Sequence, residues 1–455
     1  MDCTDLGNAR RLVERHGEDL RFCHVWNKWL VWDGKHWAED NTGEITRRAQ
    51  ETILSLYAEA AATPNLHERQ RIARWAAQSE SGQHLASMLK WAKAQPTSPV
   101  VPDDFDQDPW AFNAANGVID LTRGTTRLHH RMDMCSMLSP VPFLPNATCP
   151  QFLAYLRHVL KGDEEILRFI QRIAGYCMTA DTREQCLFMI YGGGENGKST
   201  LLETLRNVMG PYAHHADFTT FLVRGNDVVR NDLARLKGTR LVTAVEAEQG
   251  KALAESVVKQ LVGGDTITAR KLYSESFEFL PTFKLLMATN YKPIIHGQDW
   301  AIWRRIRLIP FMVTITPEER NKTIKEIFRQ ELPGIMAWMV RGCNDWLNNG
   351  LGEPDSVTNA TADYRLEMDI VGKFLNECSK TVADIDTSAT DFYKAYTAYC
   401  HEVGEAVISQ KMFGSRLLTR GMKSRRRGGD GGGRFYWQNV MLTSSHGVNG
   451  HIREE

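Results

Sequence analysis

The 455-residue sequence predicts an α/β fold: a parallel-sheet core carrying a phosphate-binding loop (P-loop), set between a mixed α/β N-terminal domain and a helical C-terminal one. Three observations predict it. Four short runs, CLFMIY (186–191), RLVTAVE (240–246), FKLLMAT (283–289) and IRLIPFM (306–312), are apolar on both faces, as strands covered by helices on each side must be. The stretches between them have helical apolar spacing. The first run leads directly into GGGENGKST (192–200), a GxxxxGK[ST] pattern between a strand and a helix.

Residues 1–145 form the N-terminal mixed domain, with seven of the twelve tryptophans. WNKWLVWDGKHWAED alternates apolar and polar residues around Asp33-Gly34, a hairpin signal. EITRRAQETILSLYAEAAA places Ile45, Ala49, Ile53, Leu54 and Tyr57 on one helical face. QPTSPVVPDDFDQDP reads as a loop, because its prolines and acids sustain neither ladder. The tryptophans are expected to fill a core rather than form a base-stacking platform. Residues 146–182, rich in helical spacing, make a helical collar. Residues 183–350 hold the four runs and the loop. Residues 351–455 contain two helices, TDFYKAYTAYCHEVG and SQKMFGSRLLTRGM, followed by KSRRRGGDGGGRFYWQNVML, an order that suggests a winged helix-turn-helix.

Composition limits the function classes. The 42% hydrophobic and 24% charged residues are ordinary for a globular chain, and the zero formal net charge argues against a histone-like wrapper of nucleic acid. No apolar run reaches the length of a membrane span, and MDCTDLGNARRLVERHGEDLR lacks the apolar core of a signal peptide, so a cytoplasmic location and no membrane partner are expected. The nine cysteines form no CxxC pair and accompany no histidine cluster, which argues against a zinc site and points to reduced thiols.

The loop carries the chemistry. Gly192, Gly193, Gly194, Glu195, Asn196, Gly197, Lys198, Ser199 and Thr200 supply inward-pointing backbone N–H groups where side chains would obstruct, a lysine for β and γ phosphates, and a hydroxyl for Mg²⁺. A nucleoside triphosphate with Mg²⁺ is the expected ligand. Glu246 and Glu248 close the second run, and the two-residue period projects both to one side. One would hold Mg²⁺ and the other polarise water, unless both are simply solvated acids at a strand end. Asn290 ends the third run and would orient water at the γ phosphate, or else it sits in a turn with Tyr291 and Pro293. Arg304 and Arg305 precede the fourth run, as a finger for a neighbouring subunit's nucleotide or as a basic strand cap. LVGGD (261–265) lacks the Ser and Gln of the transporter signature LSGGQ, and NKTIK lacks the aspartate of a guanine-reading NKxD, so transporter ATPases and GTPases are excluded. A nucleotide kinase is disfavoured, since no second-substrate lid is evident.

The order of GGGENGKST, LVTAVEAEQG, VVKQLVGGDTITARKLYSESFEFLPTFKLLMATNYKPII and WAIWRRIRLIPF resembles the phage and plasmid primase-helicase family. This is a branch of the superfamily 3 helicases that also contains the poxvirus primase-helicase. The similarity extends through DLGNARRL, VWDGKHW and FNAANGVIDL upstream, and ELPGIMAWMVRG and ADYRLEMDIVGKFL downstream. The resemblance implies an AAA+-like ATPase core, Lys198 and Ser199 as phosphate-loop residues, Glu246 and Glu248 as Walker B acids and Glu246 with Ser199 at Mg²⁺. It further implies Asn290 as sensor and Arg304 or Arg305 as arginine finger. Between Lys259 and Lys284 lies the segment that in relatives forms a pore hairpin on single-stranded DNA, which makes Lys259, Arg270 and Lys271 candidate DNA contacts. A homo-oligomeric, hexameric ring moving 3′ to 5′ is implied, with ATP as fuel, single-stranded and forked DNA as substrate, and a separate primase or polymerase as partner. Longer members carry a primase-polymerase domain ahead of DLGNARRL; primer synthesis by this chain alone is therefore not expected. The location implied is the host cell's cytoplasm.

From Lys411 to Trp437 eight basic residues face one acid. Lys411, Arg416, Arg420, Lys423, Arg425, Arg426 and Arg427 are the candidate DNA-binding residues of this end, through salt-sensitive phosphate contacts. Together these features predict an ATP-dependent replicative DNA helicase of a mobile element; the alternative is an ATP-switched replication initiator or loader that binds DNA without processive unwinding.

Overall fold

The computed structural model describes residues 2–223, 230–245, 249–270, 275–297, 299–427 and 434–443. Five parallel strands form one sheet: β1 (Leu187–Tyr191), β2 (Ala213–His215), β3 (Leu241–Val245), β4 (Lys284–Thr289) and β5 (Ile306–Pro310), in the order β5-β1-β4-β3-β2. The four apolar runs are β1, β3, β4 and β5. The fifth strand, Ala-His-His, is short and polar and lies at the sheet edge, where one side needs no apolar cover. Register pairs Met189 of β1 with Met287 of β4 and Leu308 of β5, and every position of β4 is buried.

Four helices frame the site: α1 (Pro150–Val159), α2 (Glu164–Met178), α3 (Lys198–Met209) and α4 (Ile324–Asn349). Asp163 caps α2, its carboxylate accepting the N–H groups of Glu165 at 3.0 Å and Ile166 at 2.9 Å. The start of α1 has no cap of its own; Glu331 of α4 supplies one, accepting from the N–H groups of Gln151 at 3.0 Å and Phe152 at 2.9 Å. α2 and α4 meet backbone to backbone at two glycines. A Cβ on Gly175 would lie 2.0 Å from the Cys343 nitrogen, and one on Gly342 2.0 Å from the Gln171 carbonyl oxygen.

In the N-terminal region a four-stranded sheet runs in the order Trp37–Glu39, Lys28–Trp32, Leu20–Cys23, Pro99–Val100, with helices Asp5–His16, Glu44–Ala62, Leu66–Ser79 and Gly82–Ala92. The hairpin closes over Asp33-Gly34 with Trp32 opposite Trp37, and Trp37 is buried, donating its indole N–H to the Arg131 carbonyl at 2.9 Å. Trp26 stacks on Phe105, while Trp91 stays half exposed. The proline-rich stretch departs from a pure loop. Pro99 and Val100 pair with Phe22 and Cys23 at the sheet edge, the one place where a proline costs no ladder bond. A three-stranded meander (111–114, 117–120, 125–127) then joins this region to the large sheet: Phe112 stacks on Tyr212 at 4.5 Å, and the buried Arg240 lies 4.7 Å over the same tyrosine.

Contacts divide the chain into two units: Met1–Pro293 with Arg304–Thr358, and Ile294–Trp303 with Asn359–Glu455. The second unit holds α5 (Ala389–Val403), α6 (Gln410–Thr419) and the strands β6 (Thr387–Ser388), β7 (Ser424–Arg427) and β8 (Arg434–Trp437), antiparallel in the order β6-β8-β7. Phe374, Phe392, Tyr396 and Phe413 form its core, Tyr396 stacking on Phe413 at 4.4 Å. The 294–303 segment belongs here: Trp303 meets Tyr364 edge-on at 5.2 Å, and the Arg416 guanidinium donates to the His296 carbonyl at 2.6 Å. Among the described residues no helix is long and apolar enough to cross a membrane and no His/Cys/Asp/Glu cluster could hold a metal; the nine cysteines are all free thiols.

Candidate nucleotide site

The loop 192–197 leaves the C-terminal end of β1 and turns into α3, at the end of a parallel sheet where ligands bind in open α/β folds. Two of its glycines answer different constraints. Gly192 passes so close to the residue after β5 that a Cβ would sit 2.0 Å from the Phe311 carbonyl oxygen. Gly197 precedes α3 with φ +83°, and a Cβ there would lie 2.2 Å from the Tyr155 hydroxyl, which donates to the Gly197 carbonyl. Gly193 and Gly194 have nothing within 4 Å of their Cβ positions, so the loop's crest is open.

Lys198 is only 5% exposed, and its ammonium is held entirely by neutral acceptors: the carbonyls of Gly192 at 2.8 Å and Gly193 at 3.0 Å, Asn196 Oδ1 at 2.7 Å and Asn290 Oδ1 at 2.9 Å. No carboxylate among the described residues bonds it. Burial pulls its pKa down to about 8. Such a cation favours an anion beside it. The Asn196 amide fixes the geometry by donating to the Phe311 carbonyl at 3.1 Å, and Glu195, at φ +58°, pairs with Arg320. Ser199 is exposed and Thr200 half-buried in the first turn of α3.

The sequence-predicted residues are not all brought together. Asn290, one residue past β4, is joined to Lys198 through its amide oxygen. β3 ends at Val245, paired with Ala288; Glu246 and Glu248 themselves lie outside the described residues. Arg304 and Arg305 differ. Arg304 is exposed, whereas Arg305 is half-buried with a guanidinium nitrogen 3.4 Å from the Cβ position of Gly263. Ile267–Arg270 and Ser276–Phe279 form an antiparallel hairpin with Arg270 exposed; Lys259 is half-buried in the helix Glu255–Gly263, and Lys271 lies outside the described residues.

Tyr155, Phe311 and Arg320 shape the loop, and no local motif marks them. They reach it across 42 residues or more of sequence, Tyr155 being the nearest at 42 from Gly197, while Glu331 acts one step back by capping the helix that carries Tyr155. In the second unit the basic residues are less available than their number implies. Arg416 is tied to His296, Arg420 to Asp369, and Arg425 and Arg427 to Asp386, whose side chain is 2% exposed.

Residues 9–161 match a family described as D5 N terminal like, and residues 190–305 match a family of unknown function, DUF5906. The chain is 26% identical over 330 residues to a protein provisionally named helicase L207/L206 of Acanthamoeba polyphaga mimivirus, covering 65% of this chain and 34% of that protein. It is 26% identical over 266 residues to one provisionally named helicase 022R of Frog virus 3 (54% of this chain, 27% of that protein). It is also 24% identical over 210 residues to one provisionally named primase C962R of African swine fever virus (44% and 22%). The match thus spans about a third or less of these relatives' own length. The apo A form of the NrS-1 C-terminal region is similar in fold alone, with a TM-score of 0.51 at 9% identity, covering 96% of this chain and 100% of that one.

Proposed function

We propose, from the premise that this chain belongs to the D5-like primase-helicase family, that it is an ATP-driven replicative DNA helicase of superfamily 3 type, working as a hexameric ring on single-stranded and forked DNA. The observation that carries the reading is Lys198, a buried ammonium with four neutral acceptors at the mouth of an open glycine loop. Lys198 and the N–H groups of residues 193–197 would hold the β and γ phosphates of ATP, and Ser199 with Glu246 would hold Mg²⁺. Bound Mg²⁺-ATP supplies the cleavable anhydride and spreads charge over its phosphate oxygens.

The chain's own residues do the rest. Asn290 keeps the ammonium aimed into the loop and would present its amide to the attacking water. Glu248 would polarise that water. Arg304, exposed where Arg305 is turned toward Gly263, is the residue we assign as the finger to a neighbouring subunit. The 267–279 hairpin would grip the strand through Arg270 and Lys271, with Lys259 behind it, and α6 with the β7–β8 hairpin would act as a winged helix on DNA near the fork. A primase or polymerase would be its partner at the fork.

Steady-state ATP hydrolysis by the purified chain, with and without single-stranded DNA, tests the reading. Strong stimulation by the strand supports the motor. Equal, slow hydrolysis in both conditions would instead favour an initiator or loader that uses ATP only to switch assembly. A second expected result concerns the two arginines. Arg304→Ala should keep ATP binding and lose on the order of 10³-fold in turnover, the lower end of what an arginine finger supplies. Arg305→Ala should act on thermal stability instead, because its guanidinium lies against Gly263. The reverse pattern in nucleotide-binding and melting measurements would exchange the assignments.

A further inference from the structure

α6 crosses one face of the β7–β8 hairpin and leaves a groove. Strand register sets Arg426 opposite Phe435 and Ser424 opposite Trp437, so these four side chains share that face. Arg425 and Arg427 alternate to the other face, where the buried Asp386 binds both. The groove between α6 and the hairpin has a volume of about 490 Å³, within the range of roughly 300–1,000 Å³ typical of small-molecule clefts. Trp437, 5% exposed, lies at its floor. Phe435 and Leu418 line it while remaining 57% and 55% exposed, and Lys411 supplies a charge from α6. The Arg426 guanidinium lies 6.0 Å over the Phe435 ring, on the same edge.

Gly414 keeps the groove open. It lies within α6, where glycine costs about 1 kcal/mol relative to alanine, and its Cβ position meets only Trp437 Cζ2, at 3.6 Å. A well-formed helix that carries glycine over a tryptophan floor leaves apolar depth, and the cations Lys411 and Arg426 lie at its border.

We propose that this groove takes an unpaired base of a single DNA strand, stacked on Phe435, with the flanking phosphates on Lys411 and Arg426. A duplex does not fit the chemistry: its bases present only their edges, and an aromatic face inside a groove needs an unstacked one. Apolar walls flanked by cations complement a nucleotide, which has both an apolar face and a negative charge. The proposal deepens the DNA-binding reading of the second unit and rests on it. It assigns that unit to the exposed strand beside a fork rather than to duplex sequence.

The test uses the full chain without ATP, so its failure is separate from failure of DNA-stimulated hydrolysis. Bromodeoxyuridine-substituted oligonucleotides, single-stranded or as blunt duplex, are photocrosslinked to the protein and the adducts mapped by mass spectrometry. The expected result is an adduct at Phe435 or Trp437 from the single strand and not from the duplex. Gly414→Leu, which fills the groove while raising helix propensity, should abolish that adduct with no fall in Tm. Phe435→Ala should weaken single-strand affinity on the order of tenfold, as loss of one stacked base does, and leave duplex affinity unchanged. No adduct, equal adducts from both substrates, or an adduct that survives Gly414→Leu would overturn the proposal, and the first would leave the groove to an apolar peptide.

Discussion

Lys198→Ala is expected to lower the rate of ATP hydrolysis on the order of 10²–10³-fold, the usual cost of removing one preorganised group that meets developing transition-state charge. The magnitude follows from how the ammonium is kept. It is 5% exposed, held by four neutral oxygens, and without a carboxylate partner among the described residues. Alanine would leave Asn290 and Asn196 without the cation that orders their amide oxygens, so a neighbouring water cannot replace what is lost. A second signature comes from protonation. Burial holds the lysine at about 8, well below its ordinary value, and an adjacent phosphate anion would raise it again. Nucleotide binding near pH 8 should therefore take up a fraction of a proton, seen by calorimetry in buffers of different ionisation enthalpy. Lys198→Ala should remove that uptake. The sign for stability is the converse. A lysine with a lowered folded pKa makes the nucleotide-free protein more stable as pH rises from about 8 toward the unfolded value, and the alanine variant should lack that rise. Unchanged hydrolysis in the variant would remove the loop from the chemistry altogether.

Gly175→Ala should be strongly destabilising for a single added methyl. The new carbon would lie 2.0 Å from the Cys343 nitrogen and 2.6 Å from its Cα, which is backbone that no rotamer change can clear. Ordinary overpacking costs about 1–3 kcal/mol; here two helices must separate, and a loss of about 3 kcal/mol or more is expected, seen as a fall in Tm of several degrees. Gly82→Ala is the control. Nothing lies within 4 Å of its Cβ position, and the same change there should be neutral or stabilising. The effect should reach the nucleotide loop. α4 carries Glu331, Glu331 caps α1, and α1 carries Tyr155, whose hydroxyl binds the Gly197 carbonyl. ATP affinity should therefore fall in Gly175→Ala below the unfolding temperature, and unaltered affinity with a lowered Tm would show the loop to be independent of the helix pair.

The parts of this fold legible in the sequence are those in which one segment states its own environment. A run such as FKLLMAT, whose consecutive Leu285-Leu286-Met287-Ala288 put apolar side chains on both faces, reads as a strand buried on both sides, and it is; Lys284 at its start is buried as well. The loop was legible because glycine, lysine and hydroxyl come at a spacing with a mechanism. What escaped notice depends on partners distant in the chain. β2 is three residues of Ala-His-His with no apolar pattern, made a strand by pairing with Leu241–Thr243. Tyr155 looks like any helical aromatic until Gly197 is beside it. Arg304 and Arg305 are equivalent as letters, and only their surroundings distinguish them. The charge count at the C-terminal end overstated what is free for DNA, since Asp369 and Asp386, remote in sequence, neutralise three of those arginines.

The ten residues from Ile294 to Trp303 have a practical consequence for anyone dividing this chain into fragments. They are spliced into the interval between β4 and β5, yet they pack with Asn359–Glu455. A stop codon after Thr358 would strip Trp303, 4% exposed in the intact chain, of the Tyr364 ring it packs against, and would leave Arg416's carbonyl partner at His296 behind without its donor. Such a truncation carries a sticky remnant rather than a clean first unit. A cleaner dissection replaces 294–303 with a short glycine-serine bridge in the same step. Transplanting the C-terminal unit onto another protein likewise needs two grafts, so recombination at a single junction cannot move it intact.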